Sequence, residues 1–224
     1  MKRLCALLLC LGLLVIPVQA EGTKYVALTF DDGPSGRFTR RLLDGLAQRE
    51  SKATFLLCGY RMAEQPELTQ RIFDEGHEIG LHGYSHKCMR DLCRQELERE
   101  LNDTAQLLPE GCRPTFLRPP GGASNATVRQ TAERAGLALL TWSVDPRDWD
   151  VHDPQAVENA VLKTVQDGDI VLLHDMTDSS VEAALYIADA LKSQGYRLVT
   201  VSELAALRSV TPLPGKEYSR FPPE

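Results

Sequence analysis

The chain has no run of five or more basic residues, no Cys-x-x-Cys pair and no internal repeat. Aromatic residues make up 6% of it, and only five of its 224 residues are histidine. Each shortage excludes something. Without a basic run, and with 31 acids against 25 bases, nucleic acid is not a partner. Without paired cysteines a structural zinc cluster is excluded. The longest apolar stretch, Leu4 to Ile16, falls short of the roughly 20 residues that span a bilayer.

That stretch follows Lys2 and Arg3 and ends at Pro17, with Val18-Gln19-Ala20 behind it. This is the form of a secretory signal peptide over residues 1–20. The chain meets a membrane only if that segment stays uncleaved. Cleavage takes 20 residues from 224 and leaves 204, enough for one domain with a sizeable core. Removing Lys2 and Arg3 from the 25 basic residues leaves 23 against 31 acids, about −8 in net charge. Export permits disulfides among Cys58, Cys88, Cys93 and Cys112, with three pairings open. A predicted helix of about 22 Å separates Cys93 from Cys112, far beyond the about 7 Å a bridge tolerates. A bridge between two of Cys58, Cys88 and Cys93 is expected, with Cys112 free.

Apolar, β-branched runs occur at Tyr25–Phe30, Ala53–Cys58, Glu78–Leu81, Thr115–Leu117, Leu137–Trp142, Ile170–Leu173 and Arg197–Val201. Helical patterns lie between them. Pro66 opens one, Asn125 caps one that Gly136 ends, Asp153-Pro154 starts another, and Ser179 or Ser180 starts one that Gly195 closes. Leu92 to Leu108 reads as the longest helix. Seven strand-then-helix units predict an α/β fold, a parallel sheet closed or nearly closed into a barrel, in a single domain over residues 21–207. Residues 208–224, with four prolines and little periodicity, read as a Pro-rich flexible tail.

Chemistry gathers just after the strands. Asp31-Asp32-Gly33-Pro34 follows the first, His82-Gly83-Tyr84-Ser85-His86 the third, and Arg118-Pro119-Pro120-Gly121-Gly122 the fourth. Asp145-Pro146-Arg147-Asp148-Trp149 follows the fifth, and His174 ends the sixth. In a parallel barrel these ends share one face. His82 and His86, four apart, point the same way if the backbone turns helically there. Two imidazoles with Asp32 as a third ligand suit one divalent ion, Zn²⁺ first, with Co²⁺ or Mn²⁺ as alternatives. An Asp-Asp-Gly-Pro turn explains Gly33 and Pro34, but not two acids at the end of an apolar strand. His174, a further histidine on that face, reads as a general acid. Asp145 reads as a turn cap beside the site, His77 as a packing or turn residue, and His152 as solvent-exposed.

These five motifs, in this order, resemble the polysaccharide deacetylases, carbohydrate esterase family four, over about residues 24 to 207. The resemblance implies a distorted barrel of seven strands. It implies Asp31 as the base and Asp32 as the ligand, with Arg118 holding Asp31 oriented. It implies Asp148 orienting His174, and Trp149 and Leu172 lining a pocket for the acetyl methyl. The Gly121 N–H would help hold the oxyanion; the family usually has an aromatic residue there, so a wall of the glycan subsite is missing. The implied reaction is metal-dependent hydrolysis of N-acetyl groups on an acetylated polysaccharide, releasing acetate. Export favours a secreted, cell-wall substrate, N-acetylglucosamine of peptidoglycan first. An O-acetyl esterase acting on xylan and a non-catalytic glycan-binding module are the alternatives. Phosphate-ester hydrolysis is disfavoured, because few basic residues accompany Arg118. Oligomeric state is not legible.

Overall fold

Strand β1 (Lys24–Asp31) is the centre of the fold. Val26, Leu28 and Phe30 enter a layer shared with Leu42, Leu46 and Val181, whereas Ala27 joins Leu56, Phe116, Leu140 and Ile170. Side chains alternate along a strand, so Thr29 and Asp31 face the same way as Ala27, into the barrel. A strand covered on both faces must be apolar throughout until its functional end, which is how β1 reads. The structure, a computed structural model, describes residues 23–223. The expected signal peptide lies outside the described residues. No helix among them is long and apolar enough to cross a membrane.

The other strands are β2 (Thr54–Leu57), β3 (Glu78–Leu81), β4 (Phe116–Leu117), β5 (Ala138–Leu140), β6 (Ile170–His174), β7 (Tyr196–Leu198) and β8 (Glu217–Tyr218). The sheet order is β6-β1-β2-β3-β4-β5-β8, with β7 against the start of β1 and every ladder parallel. The sheet curls: just after β5, Ser143 N–H donates to Ile170 O (3.0 Å) and Val144 bridges Val171. Contact thus returns to β6 without a full ladder, giving the distorted parallel barrel that was expected. Helices α1 (Gly36–Gln48), α2 (Gly59–Glu64), α3 (Pro66–Asp74), α4 (Arg94–Ala105), α5 (Ala126–Arg134), α6 (Pro154–Thr164), α7 (Asp178–Ser193) and α8 (Val201–Leu207) connect the strands.

Register sets the level of the strand ends. Asp31 lies beside His174 on β6 and Leu56 on β2. Leu57 pairs with Leu81, and Leu81 with Leu117. The residues that follow, His82 and Arg118, therefore emerge on the face that carries Asp31 and His174.

Several expectations change. The longest helix is α7, of 16 residues, not the segment from Leu92 to Leu108. There α4 stops at Ala105; Leu107 and Leu108 donate only three residues back, to Thr104 O and Ala105 O, and Pro109 disfavours helix at Leu108. Thr177, not Ser179 or Ser180, caps α7, its Oγ1 accepting from Ser180 N–H (3.1 Å). Thr200 and Glu203 form a capping box that ends the seventh strand run early and starts α8. Within the expected flexible tail, residues 208–223 are folded against the barrel. Strand β8 pairs with β5, and Tyr218 and Phe221 stack at 5.3 Å and bury against Ala27, Leu140 and Ile170. Two aromatics supply the apolar anchor that the prolines hide from a periodicity reading. The expected disulfide is absent: Cys58, Cys88, Cys93 and Cys112 are all free. Cys58 is enclosed at the start of α2, whereas Cys93 stands exposed at the start of α4, with the 3-10 turn Met89–Asp91 between it and Cys88.

Candidate active site

Three side chains converge at the mouth of the barrel. Asp32 Oδ1 lies 3.3 Å from His82 Nε2 and 3.0 Å from His86 Nε2. The chain does not reach this arrangement by a helical turn, as the four-residue spacing suggested. After His82 it runs through an irregular loop with Gly83 and His86 both at positive φ, 81° and 56°. Asp32 is also left-handed, at φ 73°. Non-glycine residues take this conformation at a cost, which the surrounding structure must impose.

His82 Nδ1 sits 2.7 Å from Arg118 O, a carbonyl that can only accept, so Nδ1 carries the proton. In the neutral ring Nε2 then turns a lone pair toward Asp32 Oδ1. That oxygen is buried without a hydrogen-bond partner. Two acceptors face each other, which is stable only with positive charge between them. Although burial opposes its ionisation, the His82 and His86 contacts hold the Asp32 carboxyl well below the usual carboxylate range. The same contact with Asp32 raises His86. Asp32, His82 and His86 form a group able to hold a metal ion, and their donor set fits a divalent cation. The nearby Cys58 does not join them: burial and the charges of Asp32 and Asp31 push its thiol up, disfavouring thiolate.

Behind the trio lies a buried ion pair. Arg118 Nη1 donates to Asp31 Oδ1 (2.6 Å) and Thr29 Oγ1 (2.8 Å), and Nη2 to Thr141 O (2.8 Å). Arg118 is fully buried, not a surface arginine. It meets Asp31 through one nitrogen rather than as a two-point fork: Thr29 shares Nη1, Thr141 takes Nη2, and the buried Nε makes no hydrogen bond. The rigid Pro119-Pro120 exit and the Trp142 ring, 5.6 Å from the guanidinium, hold it in place.

Beside Asp31 in the β1–β6 register, His174 Nδ1 bonds Asp148 Oδ1 (2.9 Å), and His174 N–H donates to Asp148 Oδ2 (2.8 Å). Burial opposes charge on this imidazole. The Asp148 hydrogen bond and charge, helped by Asp31 and Asp32, outweigh it and raise His174 to about 9. Asp31 and His174 both line a cleft of about 540 Å³. Gly121, Trp149 and Leu172 line it; Arg118 and Asp148 are fully buried and are not among its lining. Asp145 also faces the cleft, and Oδ1 caps the turn by accepting from Arg147 N–H (2.8 Å). His77 is buried, accepts from Ala53 N–H, and is lowered to about 4 by burial; His152 is exposed. Sequence reasoning missed Trp142, Met176, Thr177 and Ser180, which complete the lining. Only Trp142, next to the Arg118 carbonyl partner Thr141, carried a signal that could have been read.

Residues 19–140 match the family described as polysaccharide deacetylase. The peptidoglycan-N-acetylglucosamine deacetylase of Bacillus cereus is 41% identical over 187 residues, covering 81% of this chain and 88% of that protein. The peptidoglycan-N-acetylmuramic acid deacetylase PdaC of Bacillus subtilis is 37% identical over 187 residues, covering 83% of this chain but 39% of that longer protein. A family 4 acetyl xylan esterase from Clostridium thermocellum, solved with a cobalt ion, superposes with a TM-score of 0.83 at 33% identity, covering 89% of this chain and all of that one. Motif order, barrel and extent of similarity agree, and the chain belongs to the polysaccharide deacetylase family, carbohydrate esterase family four.

Proposed function

We propose that this hydrolase removes N-acetyl groups from an extracytoplasmic polysaccharide, N-acetylglucosamine of peptidoglycan first, releasing acetate. The observation that carries the reading is the register of β1 and β6. It sets Asp31, paired with Arg118, beside His174, paired with Asp148, and both line one cleft with Asp32, His82 and His86.

A divalent cation, Zn²⁺ by its donor set, would be held by Asp32, His82 and His86 and would supply Lewis-acid polarisation of the acetyl carbonyl and acidification of water. Arg118 keeps the Asp31 carboxylate pointed into the cleft, where it takes a proton from the attacking water. The Gly121 N–H donates to the developing oxyanion. His174, held protonated by Asp148, gives its proton to the departing amine. Leu172 and Trp149 receive the acetyl methyl. Trp149 is 53% exposed, which leaves its ring free to meet a sugar at the cleft. The leader-like residues 1–20 and the wall glycan named for two relatives support action outside the cytoplasm.

Incubating the protein and Zn²⁺ with N-acetylglucosamine oligomers and with peptidoglycan should release acetate and expose free amines. No acetate from either, or from acetylated xylan, overturns the reading. Asp31→Asn should abolish turnover yet retain metal, and His82→Ala should lose both; loss of metal in Asp31→Asn would reverse the division between the two aspartates. The likeness to an acetyl xylan esterase favours one second reading, O-acetyl ester hydrolysis. Acetate release from xylan with none from the amide substrates would select it.

A further inference from the structure

The loop that joins the two histidines is held by a residue outside every motif. We infer that Glu100, on α4, is a positioning residue that shapes the His82–His86 loop so that His86 reaches the cation site. The inference rests on the metal-binding part of the reading above.

Glu100 Oε2 accepts from Tyr84 N–H (2.7 Å) and Ser85 N–H (2.8 Å), and Oε1 accepts from Ser85 Oγ (2.6 Å). One carboxylate thus takes three donors from the residues between the ligands. The loop's carbonyls are met from the other side: Gly59 N–H donates to Gly83 O (2.9 Å) and Tyr60 N–H to Tyr84 O (3.0 Å), both from the first turn of α2. With the Tyr84 and Ser85 N–H groups held by α4 and the Gly83 and Tyr84 carbonyls held by α2, the loop is fixed in its irregular course. Gly83 permits the carboxylate's approach, since a Cβ there would meet Met89 Cε at 2.8 Å and Glu100 Oε2 at 3.3 Å.

The two histidines differ in what else fixes them. His82 is buried and tied to Arg118 O, so its ring is set without the loop. The His86 side chain is 43% exposed and approaches Asp32 from a left-handed backbone position. Its placement depends on the loop, and so on Glu100. The carboxylate is itself well anchored, because Leu97 and Leu101 bury the adjoining face of α4. Charge-assisted bonds of this length are among the stronger ones, and supporting residues of this kind typically change metal affinity about 10–100-fold.

The test is zinc affinity of the metal-free full chain, read by competition with a chromophoric chelator, in Glu100→Ala, Glu100→Gln and His86→Ala and in the double variants. Glu100→Ala should weaken zinc about 10–100-fold, and Glu100→Gln less, since an amide oxygen still accepts. In the His86→Ala background either change should cost less than about threefold, because its target is gone. Amide exchange at Tyr84 and Ser85 should speed up in both Glu100 variants without metal present. Wild-type zinc affinity and unchanged exchange would overturn the inference, as would an equal loss in both backgrounds. If Glu100→Ala fails to fold, the Glu100→Gln pair completes the same cycle. A wild-type chain that binds no zinc overturns the metal reading itself, and the positioning role with it.

Discussion

Asp148→Asn isolates the electrostatics of His174, the proposed proton donor. In the wild type His174 is raised from 6.5 to about 9 against the pull of burial. At about 1.4 kcal/mol per unit, that is about 3 kcal/mol favouring imidazolium in the fold. The raised value means that the folded state holds the proton more tightly than the unfolded chain. This stabilisation is therefore complete below pH 6.5, declines between 6.5 and about 9, and is gone above. The Asn side chain keeps an oxygen for Nδ1–H but turns an amide donor toward the His174 N–H and carries no charge. Burial should then prevail and bring His174 below 6.5. At pH 8 the protonated share should fall from about nine-tenths to a few hundredths or less, and kcat with it by about 10–100-fold. Activity lost at pH 8 should return as pH falls toward 6. Titration of the His174 ring by NMR in the metal-free protein gives the shift directly. Bound cation neutralises the Asp31 and Asp32 contributions, so the alkaline limb of the loaded enzyme should lie lower than in the metal-free protein. A ring that still titrates near 9 in the variant, or a kcat reduced equally at every pH, would refute the role given to Asp148.

Two further perturbations test the surrounding fold. Asp175 is fully buried, with Thr39 on one oxygen and nothing on the other, and burial pushes it to about 6. Wild-type stability should therefore drop by about 3 kcal/mol as pH rises from 4 to above 6, whereas Asp175→Asn should lack that drop. Chemical denaturation at pH 4, 6 and 8 measures it, and a gap between the two proteins that ignores pH counts against the assignment. Gly168 has φ 89°, and a Cβ there would lie 2.0 Å from Phe221 O. Gly168→Ala should cost about 1–3 kcal/mol and loosen β8, seen as faster exchange of the Phe221 amide, which now donates to Gly168 O at 2.8 Å. Unchanged exchange would show that the C-terminal segment packs independently of that turn.

Most of the barrel was legible because its strands are short, apolar and followed by turn chemistry. Burial on both faces removes the alternation that would mark an exposed sheet, so run length and punctuation did the locating. The same logic failed after Arg208. Tyr218 and Phe221 bury without any periodic pattern around them, and two aromatics among prolines give neither a helical nor a strand period. The cysteine expectation failed for a related reason. Strand-end position puts Cys58 and Cys88 on one end of the fold, but not their sulfurs in one environment.

The candidate site divides in the same way. Residues that follow strands came together because strand register is enforced by the core; a slip of one residue would turn Asp31 out of the barrel. What the sequence could not convey is how the loops beyond the strands are bent. His82 and His86 share a helical spacing, yet no helix forms: Gly83 and His86 take positive φ, while Glu100 and the start of α2 hold the Tyr84 and Ser85 N–H groups and the Gly83 and Tyr84 carbonyls. Glu100 lies on a helix otherwise rich in exposed charge and reads there as one more solvated acid. Asp32 and His86 sit at positive φ with no glycine to announce it. Those two strained residues, and a lone pair facing a carboxylate, are unfavourable one by one. Together they make physical sense with positive charge between Asp32 and His82, as the proposed cation would supply, and the loop that carries His86 is held by Glu100 and the first turn of α2, outside that trio.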